Sequence, residues 1–190
     1  MRHLLALAAL AAGAVAVTKQ MNRSRGATKT STVEESIEID VPARSAYNQW
    51  TQFEDFPRFM HGVIEVRQLD DKRLRWRAEI GGKTEEWESE ITEQIPDKRI
   101  AWRSLHGPRN AGVVTFHRLD DERCRVMLQM NYEPRGVAET LGDMVGAPAM
   151  RVCGNLQRFK DFLESRGSET GAWRGSIDEP GSDRGSAMGA

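Results

Sequence analysis

A long amphipathic helix at the end of an otherwise strand-patterned chain is the feature that most constrains this fold. Residues 136–165 carry apolar side chains at spacings of three and four, from Val137 to Leu163, which predicts one helix with a single apolar face. Between residues 32 and 133 apolar and polar residues mostly alternate, which is typical of strands with one buried side. The sheet that these strands would form needs a cover on its apolar face, and this helix is long enough to provide it.

The strand pattern recurs in seven segments separated by turn residues. Two short helical segments, residues 43–50 and 53–60, follow the first strand, and Pro42 marks the start of the first helix. This order predicts an α+β fold in which a seven-stranded antiparallel sheet wraps a long C-terminal helix, with two short helices after strand 1. The predicted strands are residues 32–41, 63–69, 72–80, 83–95, 98–105, 111–119 and 122–133.

One hairpin has a register that can be read from the sequence. The two-residue turn 81–82 is Gly-Gly, which tolerates the positive φ angles of a tight hairpin. Counting outward from this turn places Trp76 opposite Trp87 on one face and Arg75 opposite Glu88 on the other. We therefore expect the tryptophans to point inward and the arginines to form solvated ion pairs rather than an anion-binding site.

The two ends of the chain differ from the middle, which we predict to be one domain at residues 31–165. Residues 1–30 combine an apolar run, 4–17, with five basic and no acidic residues, four of the basic ones after the run. Positive flanks prefer the cytoplasm, which favours a short membrane anchor with a cytoplasmic domain. A cleaved export signal and a misassigned start or inert extension remain open. Residues 166–190 are rich in Gly and Ser, which predicts a disordered tail.

Composition and motifs exclude several classes of function. Lys and Arg number 27 against 28 Asp and Glu, so the chain lacks the basic excess that nucleic-acid binding needs. Cys124 and Cys153 form no CxxC motif, and the histidines show no metal-ligand spacing. The GGKT at 81–84 resembles the end of a phosphate-binding loop but lies at the hairpin turn. We expect no nucleic acid, no metal and no cofactor.

The element order and four local segments resemble the helix-grip fold of the START-like (SRPBCC) superfamily, over about residues 32–165. The segments are IEIDVPA at 37–43, FEDFPRFMHGV at 53–63, VTF at 114–116 and YEP at 132–134. This superfamily includes polyketide cyclases/dehydrases and coenzyme-Q-binding proteins. The resemblance implies a cavity between the sheet and the long helix but does not name a reaction.

A hydrophobic small molecule such as a lipid, a quinone or a polyketide-like compound is the partner we expect in that cavity. The alternative is that Trp76, Trp87 and Trp102, all expected to point inward, simply fill a core. No catalytic residue can be assigned, so a cyclase/dehydrase using Tyr47, Glu85 or His61 is a second hypothesis. A protein-interaction module without a ligand is a third. The residues that we expect to line the cavity are Trp76, Ala78, Trp87, Ile91, Trp102, Ser104, Phe116, Met144, Val145 and Val152.

Overall fold

A computed structural model describes residues 30–133 and 147–178 of the 190-residue chain. In these ranges seven strands form one antiparallel sheet in the order β1-β7-β6-β5-β4-β3-β2, so that the first strand pairs with the last. The sequence prediction of a seven-stranded antiparallel sheet is confirmed. The strands are β1 (Ser31–Ile39), β2 (Val63–Gln68), β3 (Arg73–Ile80), β4 (Lys83–Ile95), β5 (Arg99–Ser104), β6 (Asn110–Arg118) and β7 (Cys124–Tyr132).

Helices lie at the two positions that the pattern predicts. Helix α1 (Ala43–Trp50) and a 3-10 helix (Phe53–Arg58) connect β1 to β2, and helix α2 (Ala147–Arg166) follows the sheet. The α+β helix-grip architecture is therefore confirmed. The first part of the predicted long helix, with the expected cavity residues Met144 and Val145, lies outside the described residues. Across the described ranges, no helix combines the length and apolarity that a membrane crossing requires.

The periodic apolar positions of α2 build one end of the core. Val152, Leu156, Phe159 and Leu163 are all buried, as their spacing predicts. The ring of Phe159 meets Trp50 of α1 edge-on at 4.9 Å between ring centroids. Edge-on aromatic pairs stabilise a core beyond the effect of the area that they bury. Buried residues of α1, the 3-10 helix and the second half of α2 together cover this end of the sheet.

The hairpin between β3 and β4 has the predicted register. Trp76 lies opposite Trp87, and Arg75 lies opposite Glu88, with 2.9 Å between Arg75 Nη2 and Glu88 Oε1. The same register places Arg73 opposite Glu90, but these two side chains do not pair with each other. Arg73 Nε contacts Asp70 Oδ2 at 2.7 Å, and Glu90 binds Arg103 of β5. The register is thus correct, while the ion pairs are partly redistributed along the exposed face.

A short C-terminal segment, residues 167–178, packs back onto the domain, and we call it the C-terminal strap. Ile177 is 4% exposed, and its backbone pairs with Gln94 of β4 through N–H···O contacts of 2.7 and 2.9 Å. Arg174 binds both carboxylate oxygens of Asp97, which holds the pKa of that carboxyl below its usual value. For these residues the structure differs from the predicted disorder. Residues 1–29 and 179–190 lie outside the described ranges.

Candidate ligand-binding face

Three tryptophans occupy the same inner face of neighbouring strands. Trp76 of β3, Trp87 of β4 and Trp102 of β5 alternate with mostly charged residues that point the other way, because successive side chains of a strand face opposite sides. Ser89 lies two residues beyond Trp87 on the same side of β4 and is fully buried. We call the surface formed by Trp76, Trp87, Ser89 and Trp102 the Trp face. Trp76 and Trp102 are half-buried, so the Trp face is not closed off like the core under α1.

The first two tryptophans lie stacked across the hairpin. Their rings are parallel to within 3°, with 5.8 Å between ring centroids. Trp76 Nε1 donates a hydrogen bond to Ser89 Oγ at 2.8 Å. Trp87 Nε1 is buried and is the one buried side-chain nitrogen or oxygen in the described ranges that lacks a hydrogen-bond partner. Of the two stacked indoles, the half-buried one has a hydrogen-bond partner and the buried one has none.

Two glycines that the sequence reasoning passed over shape this face. A Cβ on Gly112 of β6 would lie 2.5 Å from the ring of Trp102, so the glycine lets the indole lie against the strand. Gly107, in the β5–β6 loop, has φ of +77°, and a Cβ there would lie 2.8 Å from Cβ of Trp87. A glycine inside a strand pattern indicates a close approach, and for Gly112 this signal was available in the sequence.

The remaining expected cavity residues divide between this face and the core. Ala78 lies two residues beyond Trp76 on the same side of β3, and Ile91 lies opposite Trp102. Phe116 instead packs edge-on against Tyr47, at 5.6 Å between ring centroids, and belongs to the core under α1. Phe116 points inward, as the sequence predicts, but it contacts the core under α1 and not the Trp face. Val152 is part of the same core on α2.

An open hollow of about 640 Å³ lies where β5 and β7 end and β6 begins. Among the expected cavity residues described, Ser104 is the one that lines it, and its Oγ accepts a hydrogen bond from the backbone N–H of Asn110 at 3.1 Å. Ser104 thereby holds the β5–β6 loop in place. The hollow adjoins the strand ends and includes residues from both sides of the sheet, so it is a surface depression rather than an enclosed site.

The three residues considered for catalysis have different surroundings. Tyr47 is fully buried, its hydroxyl accepts a hydrogen bond from Gln94 Nε2 at 3.0 Å, and desolvation raises its pKa. His61 is exposed just before β2. Glu85 is half-buried and lies opposite Ala78, two residues from Trp87 on the same side of β4. Of the three, Glu85 is the one that the strand register places beside the Trp face.

The described ranges also lack a cluster of three or more His, Cys, Asp or Glu side chains arranged to hold a metal ion. Cys124 is buried and Cys153 is exposed, and both are free thiols. The Trp face itself consists of three indoles and the hydroxyl of Ser89, and the carboxyl of Glu85 lies beside it.

Comparisons with known proteins agree with this architecture. The family model described as "Polyketide cyclase / dehydrase and lipid transport" matches residues 39–161. A curated protein of Streptomyces lincolnensis, an uncharacterized protein of 17.2 kDa, is 53% identical over 148 residues, which cover 77% of this chain and 99% of the relative.

Solved structures give the same result at the level of the fold. A Deinococcus radiodurans protein is 31% identical, with a TM-score of 0.58 and coverage of 72% of this chain and 99% of its own. An aromatase/cyclase from Streptomyces sp. R1128 is 16% identical, with a TM-score of 0.63 and coverage of 76% of this chain and 100% of its own. At 16% identity the second likeness concerns the fold alone.

Proposed function

This chain belongs to the polyketide cyclase/dehydrase and lipid transport family, and we propose that its Trp face binds a hydrophobic small molecule. The observation that carries the proposal is the pairing of the stacked indoles of Trp76 and Trp87 with the half-buried Trp102 on one inner face. A surface of this kind binds apolar molecules through the area that it removes from water, about 25 cal/mol per Å². A lipid, a quinone and a polyketide-like compound all fit this description.

The local charges support a neutral or weakly polar ligand. The arginines of β3 and β5 alternate with the tryptophans along the strands, so that Arg75 and Arg103 point to the opposite, exposed face and bind Glu88 and Glu90. Binding to the Trp face should therefore depend little on ionic strength, because apolar burial rather than ion pairing provides the free energy.

A direct test combines ligand titration with a substitution that fills the face. Palmitate, decylubiquinone and emodin represent the three ligand classes, and the readouts are quenching of tryptophan fluorescence and a rise in melting temperature. Ala78→Leu should weaken binding and Ala78→Trp should abolish it, because each adds volume beside Trp76. The matched control is Ala101→Trp, which adds the same side chain to the outer face of β5.

The outcome separates three explanations. Binding that is lost in Ala78→Trp and kept in Ala101→Trp supports the Trp face as the site. Binding that persists in both folded variants places the ligand elsewhere. If none of the three ligands changes the melting temperature of the native chain, the binding proposal is wrong and an interaction module becomes the better hypothesis.

A cyclase is the second candidate, and one observation favours it. Glu85 lies on the inner side of β4, two residues from Trp87, where a carboxyl group could act on a bound ligand. Glu85→Gln keeps the shape of the side chain and replaces its carboxyl group by an amide. If the protein is a cyclase, this variant should still bind ligand but should no longer convert it, as followed by mass spectrometry of the extracted compound.

A further inference from the structure

Trp87 has a property that filling a core does not explain. Its side chain is 8% exposed, and its Nε1–H has no hydrogen-bond partner in the described ranges. Trp76, which lies parallel to it in the same hairpin, donates its own Nε1–H to Ser89 Oγ. A buried donor without a partner lowers the stability of a fold, and a phenylalanine would supply an aromatic ring without that cost.

The position of this indole is fixed by its surroundings. Trp76 stacks on its ring, and the backbone of Gly107 approaches so closely that a Cβ there would lie 2.8 Å from Cβ of Trp87. The β5–β6 loop is held in turn by the hydrogen bond from Asn110 to Ser104 and by the one from the Leu105 N–H to the Glu88 carbonyl. The indole of Trp87, with its buried and unpaired N–H, is therefore held in a constrained position.

We infer that the ligand of the Trp face carries a neutral carbonyl oxygen and that Trp87 Nε1 donates a hydrogen bond to it. This inference rests on the proposed function and narrows the ligand class to apolar ketones and quinones. A carboxylate fits less well, because the arginines of the described strands β3 and β5 point to the opposite face, and a buried carboxylate needs a cation or several donors. A pure hydrocarbon would leave the donor unpaired.

Three rigid probes of nearly equal shape test this chemistry. Fluorene has no polar atom, fluorenone adds one carbonyl oxygen, and fluorene-9-carboxylate adds a charged group. Calorimetric titration of the full chain should give a dissociation constant for fluorenone about tenfold lower than that for fluorene, the size expected for one recovered buried hydrogen bond. Fluorene-9-carboxylate should bind more weakly than fluorenone.

The variant Trp87→Phe removes the donor and keeps an aromatic ring. In this variant the preference for fluorenone over fluorene should fall to about onefold, because the two probes then meet the same apolar surface. Trp76→Phe is the matched control: it also removes one indole N–H from the Trp face, but that N–H is already bonded to Ser89. The tenfold preference should survive there.

A measurement on the unaltered chain covers the case in which Trp87→Phe does not fold. In a proton–nitrogen NMR spectrum the five tryptophan indole signals of the chain can be followed during titration. The Trp87 indole proton should move downfield with fluorenone and not with fluorene, because a new hydrogen bond deshields it, while the Trp76 signal should show no such difference.

The results distinguish the inference from the function on which it rests. If fluorene and fluorenone bind equally well, or if Trp87→Phe retains the preference, the apolar site stands and the carbonyl contact is wrong. If neither probe binds and no indole signal moves, the proposed function fails and the inference fails with it.

Discussion

The C-terminal strap gives a quantitative test of the structure, through the substitution Ile177→Ala. The Ile177 side chain is buried in the core, and its backbone pairs with Gln94 on the part of β4 that extends beyond β3. Substitution to alanine removes the side-chain burial and leaves those backbone hydrogen bonds possible. It therefore isolates the contribution of apolar packing by the strap.

The expected size follows from this burial. Removing most of a buried isoleucine costs about 2–5 kcal/mol when the surroundings cannot collapse into the space. The strap is held at one sheet edge and can shift or detach, so the loss cannot exceed the free energy with which the strap is docked. We expect the free energy of unfolding to fall by about 2–3 kcal/mol, at the lower end of that range.

Urea unfolding of the full chain, followed by circular dichroism and by tryptophan fluorescence, measures this change. Ser176→Ala is the matched control, because Ser176 is the exposed neighbour in the strap and should change stability by no more than about 0.5 kcal/mol. An Ile177→Ala variant as stable as the Ser176→Ala control would refute the reasoning and would show that the strap is not docked in solution.

Four further predictions concern other parts of the chain. Arg75→Glu should lower stability modestly, because the Arg75–Glu88 ion pair lies in solvent, and adding Glu88→Arg should recover part of that loss. A double mutant no more stable than the sum of the single changes means that the two residues are not partners. Burial raises the pKa of Cys124 to about 11, so a thiol reagent at pH 8 should modify the exposed Cys153 in the native protein and both cysteines in urea, and rapid native modification of both would contradict the burial. Because the pKa of this thiol is higher in the folded than in the unfolded chain, the free energy of unfolding should fall as the pH rises from about 9 to about 11. Cys124→Ala should make that fall smaller. We also propose that residues 1–29 anchor the chain: the full chain should sediment with membranes and a chain beginning at Thr30 should not, whereas equal partition of the two contradicts an anchor.

The sheet was predictable because its signals are local. The turn at 81–82 fixes the β3–β4 register, and alternation then assigns each side chain to a face as far as Ile91. Beyond Ile91 a bulge shifts the β4–β5 register, so that Gln94 becomes buried while Glu93, which simple alternation would point inward, binds Arg99. Nothing in the residue pattern of β4 marks that extra residue.

The order of the strap was not predictable from composition, because it depends on long-range contacts. Its glycines and serines are typical of a disordered tail, and its order depends on contacts with residues far away in the sequence. Arg174 reaches Asp97, the backbone N–H of Trp173 donates to Thr51 Oγ1 at 3.0 Å, and Ile177 pairs with β4. Each contact requires that the rest of the domain has already folded.

The candidate site shows the same division between local and long-range information. Strand alternation predicts that Trp76, Trp87 and Trp102 share an inner face, and the structure places them there. Phe116 satisfies the same alternation but packs under α1, because the position of a helix over the sheet is not encoded in strand periodicity. The unpaired N–H of Trp87 depends on side-chain rotamers and could not be read from the sequence at all.

Native mass spectrometry of the freshly purified full chain tests the central claim, ligand binding, most directly. Gentle ionisation keeps an apolar molecule in place if the Trp face holds one, and denaturing ionisation of the same sample gives the mass of the chain alone. We predict a mass difference that corresponds to a small apolar compound, bound at one copy per chain and absent from the folded Ala78→Trp variant. A native mass equal to that of the bare chain, unchanged after incubation with palmitate, decylubiquinone, emodin and fluorenone, would contradict the account.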